Sequence, residues 1–489
     1  MGSLEKEWPM TATSALIDIG GSSVKVTIRD NHTAKMLSHE IGVTPKVEGK
    51  HIFLDPTQLF KTIIAAMNNC AEGLSSGVKV EKIYISTLRQ GFCLIDDEKE
   101  LTPIYLNSDT SGELARKELE KYGSKEIYEE TGHWFAPQLT LPKIVNLFGH
   151  RPELLKHNTK LLFVHDWLVW KLTQEKVTEM TLVSAGQMAK LSEKSIHTEL
   201  LEYFDIPVNL LPKPQKFGSE VGAIKAHASA ELSTRWTDVK VFVGGGDSHF
   251  LHMGASGNSS AKAVVSAGSS TPISLLSSTI GTSTLLQPWK STSFEDSMYF
   301  LEGNLGYPGS FYGWLSKNVA NPITTDSLTI ANITKAPSVF GSCNMWNEEK
   351  WQSRPAFSIL GDFSKSSSNE LALGLMLDYS FALANQISAL KNDGFKIEQI
   401  IFTGGGASPQ LQTILGSLLD IPVERVATEN AVDNLFSLLG SEKRDSVVHE
   451  NYSESLDVET SEFLRSKAKD HALLYSEIEG IREVLENAS

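Results

Sequence analysis

The sequence predicts a mixed α/β fold, and three observations predict it. Short apolar runs of strand length recur along the chain, and helical patterns with one apolar face lie between them. Several of the apolar runs pass directly into glycine-rich bends. At 489 residues the chain exceeds one ordinary core, so two domains or one duplicated body is expected.

The elements follow in order. Ala15–Ile19, Val24–Ile28 and Ile83–Ser86 alternate as strands do. Between them, Leu59 to Leu74 reads as a helix with Leu59, Ile63, Ile64 and Met67 on one core-facing side. Further strands are predicted at Leu161–Val164, Val239–Val243, Ala263–Ser266 and Gln399–Thr403, and helices at Ser195–Phe204, Leu371–Leu390 and Leu411–Leu419. A Ser/Thr-rich stretch, Ser269 to Ser297, breaks the rhythm and predicts loops or short strands. "DFSKSSSNE", Asp362 to Glu370, predicts an exposed connector into a helix. The last fifty or so residues are charged and helix-prone, with apolar positions at Phe463, Leu473, Leu474, Ile478 and Ile481; they carry no assigned chemistry.

Hydrophobic residues make up 41% and charged residues 21%, an ordinary globular balance. The net charge of −15 argues against nucleic acid or an anionic membrane as partner. No apolar run approaches the roughly 18 residues of a membrane span. The opening "MGSLEKEWPM" lacks the apolar core of a secretion signal. Cys70, Cys93 and Cys343 are odd in number and far apart, which suits a reducing compartment and forms no metal motif. The expected location is cytoplasmic.

Three strands end in glycine bends: "SALIDIGGSSVKVTI" from Ser14, "VKVFVGGGDSHFLHMGASG" from Val239 and "EQIIFTGGGASPQLQ" from Glu398. A weaker fourth is "AVVSAGSST", Ala263 to Thr271. Glycine lets the backbone bend through positive φ and lets a ligand approach the main chain. Exposed N–H groups in such bends form concave anion sites. A single glycine bend is more often a tight turn than a ligand site. Four of them, two with an aspartate at the strand–loop junction (Asp18 and Asp247), tip the reading toward a ligand. The chain has neither a Walker lysine motif nor a dinucleotide fingerprint, so any phosphate grip is of another design.

These segments, in this order, resemble the FGGY carbohydrate kinases, within the wider actin–hexokinase–Hsp70 ATPase group. "DIGGSSVK" is similar to the family's first phosphate loop, with Gly21 where a threonine is usual. "GGGDSHFLHMG" resembles the segment holding its catalytic aspartate. "AGSST" resembles its second phosphate loop, with Ser269 for a threonine, and "GGGASPQLQTILGSLLDIPV" its adenosine segment, ending in Pro422-Val423. "LPKIVNLFGHRPEL" looks like the Lys-x-x-Trp-Leu signature, with Asn146 for the tryptophan, and "HDWLVWKLTQE" and "LLEYFDIPVNLLPKPQKFGSEVG" follow in register. The resemblance runs from about Ala15 to Val426.

The resemblance implies two actin-like (ribonuclease H-like) α/β domains with an interdomain cleft, divided as 13–246 and 247–440, with a helical tail over 441–489. It implies ATP as phosphoryl donor, Mg²⁺ as cofactor, and a ketose or polyol as acceptor in the manner of xylulokinases. Glycerol or an autoinducer-2 precursor is the other acceptor class. A degenerate regulator that binds without turnover is a further reading, as is an Hsp70- or actin-like ATPase, against which Arg89-Gln90 and the Pro-Val ending argue. The assembly expected beyond the monomer is a homodimer.

The implied roles fall on particular residues. Phosphoryl transfer needs charge neutralisation, alignment and a group that accepts the hydroxyl proton. Asp18 would hold Mg²⁺ through water. Gly20, Gly21, Ser22 and Ser23 would donate to the transferred phosphate, with Lys25 adding positive charge. Gly268, Ser269 and Ser270 would form the second phosphate loop; Gly404, Gly405 and Gly406 would let the nucleoside lie on the backbone, with Gln412 at the base edge. Asp247 would be the general base, contributing roughly 10²–10⁴-fold. Arg89, Gln90 and Asp109, in "STLRQGFCLIDDEKELTPIYLNSDTSG", would bind acceptor hydroxyls, although Ser111 replaces the family's arginine. Trp134, beside His133, would stack on a sugar face. His249 and His252 stand three apart as a metal pair with no visible third ligand. Asn434, Leu435 and Phe436 replace small residues, which would change nucleotide fit or simply repack a helix. The whole reading requires Asp18 and Asp247 to share one surface.

Overall fold

The computed structural model describes residues 13–30, 33, 35–257, 259–268, 270–281, 286–306, 309, 324–342, 346, 358–360, 366–439 and 456–487. The chain divides into two compact units. The first comprises Met1–Gly254, Lys290–Tyr299 and Val432–Asp445, and the second Ala255–Trp289, Phe300–Ala431 and Ser446–Ser489. The units therefore interleave along the chain, whereas the resemblance implies the consecutive segments 13–246, 247–440 and 441–489.

In the first unit, β1 (Ser14–Ile19), β2 (Ser23–Asp30) and β3 (Lys35–Gly42) form an antiparallel meander. Helix α1 (Pro56–Ala71) then crosses over to β4 (Lys82–Thr87), which lies parallel to β1. Asp55 caps α1 by accepting from the Gln58 amide at 2.9 Å, and Pro56 opens its first turn. Alternation sorts the strands' two faces. Ala15, Ile17, Ile19, Ile83 and Ile85 pack with Leu59, Ile63 and Met67 of α1. Leu16 and Tyr84 face the other way, onto Phe242, Phe250 and Met253. Both faces of the sheet are thus covered, as its parallel strands require.

Helices α2 (Thr140–His150) and α3 (Val164–Thr173) follow, then β5 (Glu220–Ala223) and β6 (Lys240–Phe242). The sheet order is β5-β6-β4-β1-β2-β3, with β6 parallel to β4. A two-residue strand, β7 (Gly245–Gly246), also pairs with β4 and runs directly into α4 (Asp247–Ser256).

The second unit is also built on a sheet of mixed strands, with Trp289–Thr292 at one edge. β8 (Lys262–Ser266) is antiparallel to β9 (Pro272–Ser277), beside which lies β10 (Tyr299–Asn304). After α5 (Ser368–Asn392), β11 (Gln399–Thr403) joins parallel to β8. Helix α6 (Pro409–Leu419) leads to β12 (Val423–Arg425), parallel to β11. In each unit the first strand pairs antiparallel with its successor and parallel with the strand that follows the long helix, and that strand pairs parallel with a later one, an arrangement in keeping with the two similar α/β domains the resemblance implies. The tail contains α7 (Val458–Asn487), whose buried His471 bonds the Asp378 carboxylate of α5 at 3.1 Å; residues 441–455 lie outside the described residues.

One element differs from expectation. The helix predicted at Ser195–Phe204 starts at Thr198, because Ser195–Ile196 pairs with Ala189–Lys190 and the His197 ring caps the Leu200 amide.

Candidate active site

Strand register in the first unit assembles the carboxylates. Asp18 lies opposite Ser86 in the parallel β1–β4 pair, and the Ser86 hydroxyl donates to Asp18 Oδ1 at 2.7 Å. On the other side of β4, Gly245 lies opposite Ser86 and Gly246 opposite Thr87, so Asp247 follows at the same end of the sheet. Asp18 and Asp247 therefore stand at the carboxyl ends of strands two places apart, about 10 Å between backbones by ordinary strand spacing. The side chains feel each other. Burial pushes Asp18 up to about 6, against the Ser86 hydrogen bond, and the Asp247 charge pushes in the same direction as burial. Lys25, its antiparallel partner on β2, opposes that rise.

Asp247 is the open carboxylate of the set, 45% exposed, with Arg89 Nε 3.7 Å from its Oδ1 and only 11% exposed. The Ser248 amide donates to the same oxygen at 2.7 Å and fixes the carboxyl's orientation. The three glycines before it are demanded by packing. A Cβ on Gly244 would lie 1.8 Å from the Ile85 carbonyl oxygen; on Gly245, 2.6 Å from the Phe294 ring; on Gly246, 2.9 Å from Arg89 Cγ. The Gly244 amide donates to His165 Nε2 at 2.9 Å, so Nδ1 carries the ring proton and donates to Asp166 at 2.9 Å. The DIGG bend is looser. Gly20 N–H turns back onto the Ser23 carbonyl at 2.9 Å, which removes that amide from the expected phosphate donors. Gly21 has room for a larger side chain, its nearest neighbour being 3.8 Å from a built Cβ. Ser22 is exposed and Ser23 half-buried.

The acceptor residues divide. Arg89 and Gln90 follow β4, with Gln90 at φ 62 and its buried Nε2 lacking a hydrogen-bond partner among the described residues. Asp109 instead turns inward. Fully buried, it accepts from the Ile52 amide at 2.9 Å and from the amide and hydroxyl of Ser111, with His51 at 3.3 Å. A carboxylate so occupied staples the loop and does not face a ligand. Trp134 is 1% exposed and His133 is fully buried, which removes the expected stacking face. Burial pushes His133 down to about 4, and His249 and His252 to about 3. His249 bonds the Thr292 carbonyl at 3.0 Å, and no group of three metal-ligating side chains occurs among the described residues.

In the second unit, β8 and β11 end level, Ser266 beside Thr403, and their loops interlock. The Ala267 amide donates to the Thr403 carbonyl and the Gly406 amide to the Ala267 carbonyl, each at 2.8 Å. Gly404 has φ +91 and passes so close to Ala267 that a Cβ would meet its carbonyl at 2.8 Å. Gly405 opens onto free space, just ahead of the α6 N-terminus capped by Ser408. Exposed backbone before a helix start is a ready anion site. Gly268 and Ser270 belong to the neighbouring loop; Ser269 lies outside the described residues. Gln412 points away, buried with its amide donating to the Val423 carbonyl at 3.2 Å, so it is not at an open base edge.

The Asn434–Phe436 stretch packs inside the first unit. Leu435 and Phe436 fill the cluster around Leu16 and Phe242, and the Asn434 amide donates to the Gly254 carbonyl at 3.3 Å. Sequence reasoning missed Ser86, Lys143 and the His165–Asp166 pair. Only strand register points to Ser86, and the others carry no local signal beyond the segments in which they stand.

Residues 14–254 match the N-terminal domain of the FGGY family of carbohydrate kinases. A probable glycerol kinase of Caenorhabditis elegans is 28% identical over 217 residues, 41% of this chain and 43% of that protein. A rhamnulokinase of Yersinia pestis bv. Antiqua (strain Angola) is 27% identical over 219 residues, 42% of this chain and 43% of that one. The match thus spans under half the length of these curated relatives. Among solved structures, a xylulose kinase from Rhodospirillum rubrum superposes with a TM-score of 0.82 at 17% identity, covering 96% of this chain and 100% of that one. A Plasmodium falciparum glycerol kinase with ADP gives 0.80 at 18%, covering 96% and 98%. Those two likenesses establish the fold. No helix among the described residues is long and apolar enough to cross a membrane.

Proposed function

We propose, from a chain whose residues 14–254 belong to the FGGY family of carbohydrate kinases, that this protein is an ATP-dependent kinase of a ketose or polyol. The observation that carries the reading is Asp18 and Asp247 at the same end of one sheet, on strands that flank β4, with Arg89 against Asp247. Asp247 is the general base: it is the exposed carboxylate, held by the Ser248 amide, and it takes the acceptor hydroxyl's proton as the alcohol oxygen bonds to the γ-phosphorus and the bond to the β-phosphate oxygen breaks, releasing ADP. Arg89 orients the acceptor. The backbone and hydroxyls of Gly21, Ser22 and Ser23 receive the transferred phosphate, and Lys25 offsets its charge. In the second unit, Gly268, Ser270 and Gly404–Gly406 hold the nucleotide.

The residues present fit Mg²⁺. Burial first, and the Asp247 charge after it, raise the proton affinity of Asp18, and a cation beside this carboxylate would offset both. Bound there, Mg²⁺ neutralises phosphate charge. Asp109, Trp134 and Gln412 take structural roles in this reading, so acceptor recognition falls chiefly on Arg89 and Gln90.

The experiment is a coupled ADP-release assay over ketopentoses with xylulose first, 6-deoxyketoses, polyols, glycerol and a linear autoinducer-2 precursor. One acceptor should raise ADP release well above background, and Asp247→Asn should remove at least about 10²-fold of it while ATP binding persists. Bound ATP with background release for every acceptor would replace the kinase by a binding-only regulator.

A further inference from the structure

Lys143 stands in the first full turn of α2, 2% exposed, and makes no ion pair among the described residues. Its Nζ donates instead to two main-chain carbonyls, Gln90 O and Leu106 O, each at 2.8 Å. Burying an ammonium with no carboxylate in direct contact costs several kcal/mol, so an apolar side chain would serve packing better. The hydrogen bonds must account for it.

One carbonyl belongs to a candidate acceptor residue and the other to the turn that the Asp109 carboxylate staples. Gln90 O belongs to the turn that presents Arg89, and Gln90 sits in the left-handed region at φ 62, which an ordinary side chain enters at a cost. The same carbonyl takes a second donor, the Thr140 hydroxyl, at 3.1 Å. Leu106 O opens the Asn107–Asp109 turn and also accepts the Asp109 amide at 3.2 Å. The Asp109 carboxylate then staples that turn to Ile52 and Ser111. The strands beside these turns already pair, Phe92 opposite Tyr105, so Lys143 adds a second tie at the turns themselves. Burial pushes the amine down to about 7, with Asp109 opposing.

Resting on the kinase reading above, we propose that Lys143 is a positioning residue for the acceptor: it ties the Arg89–Gln90 turn to the Asn107–Asp109 turn and so holds Arg89 in register with Asp247. The side chain touches no substrate. It acts through two carbonyls, keeping a strained turn from relaxing.

The test compares Lys143→Met and Thr140→Val with wild type in the full-length protein, by steady-state kinetics with the acceptor the panel identifies and by amide hydrogen exchange. Lys143→Met should raise the acceptor KM at least about 10-fold and leave the ATP KM within about 2-fold. Exchange should quicken together in residues 88–92 and 106–110 and stay unchanged in β1. Thr140→Val, which removes the lesser donor, should raise the same KM about 3-fold; it carries the test if Lys143→Met does not fold. An unchanged acceptor KM, equal changes in both KM values, or exchange that quickens everywhere would reduce Lys143 to a packing element and overturn the proposal. If wild type turns over no acceptor, the kinase reading fails by itself, and exchange alone then decides the clamp: quickening confined to the two turns sustains it and unaltered exchange there refutes it.

Discussion

Gly244→Ala is the sharpest perturbation of the candidate site. The added Cβ would lie 1.8 Å from the Ile85 carbonyl oxygen, 2.7 Å from its carbon and 2.9 Å from its nitrogen, all backbone atoms of β4 that no rotamer change can move. To reach even 3.0 Å, the backbone at Gly244 must retreat by more than about 1 Å. That retreat pulls against the Gly245–Ser86 and Gly246–Thr87 pairing and the Gly244 amide bond to His165. One buried donor left unmet costs about 1–3 kcal/mol, and strain adds a similar amount. We expect a stability loss of about 2–5 kcal/mol by denaturant titration. In the folded fraction, displacing Asp247 by about 1 Å should lower turnover by roughly 10²-fold. Gly405→Ala is the matched control: its Cβ meets nothing within 4 Å and its φ is not positive, so stability should stay within about 0.5 kcal/mol of wild type. A Gly244→Ala protein with wild-type unfolding midpoint and turnover would refute the argument that this bend is set by contact with β4.

Two further outcomes are expected. Arg89→Ala should raise the acceptor KM about 10–10²-fold with little change in the ATP KM, since the guanidinium lies 3.7 Å from Asp247 and the charged hydrogen bonds it offers an alcohol are lost; the reverse pattern would move the acceptor elsewhere. Stability should also fall on acidification. His249 and His252 are pushed to about 3 by burial, below the ordinary value of 6.5, so the unfolded chain binds more protons between these values. Their contribution is full above pH 6.5 and is lost as pH falls toward 3, with a slope of up to about 1.4 kcal/mol per pH unit for each histidine. His252→Gln should flatten the unfolding free energy between pH 4 and 6, and an unaltered slope would show that His252 is not buried neutral.

Much of the architecture is legible locally. The alternation at Ala15–Ile19 and Ile83–Ser86 marks strands because residues two apart share a face, and the β11 bounds Gln399–Thr403 coincide with the predicted run. The glycine bends and the two junction aspartates are visible for the same reason: a bend is written in its own few residues. What each bend is for is less legible. Gly404 needs its positive φ and Gly244 needs its missing side chain, whereas Gly20 and Gly21 have room to spare.

The sequence by itself determined the α/β class and the strand ends that carry Asp18 and Asp247, and its resemblance pointed to Arg89 and Gln90. Tertiary structure alone decided that Ser86 meets Asp18, that Asp109 faces Ile52 and Ser111, that Trp134 and Gln412 lie inside, and that Lys143 spans two turns. The physical reason is distance along the chain. Periodicity reports which way a side chain points relative to its own backbone, but whether a polar group meets solvent or a partner depends on segments that pair from far away. The Asp109 carboxylate finds an amide 57 residues distant, and Lys143 a carbonyl 53 residues distant.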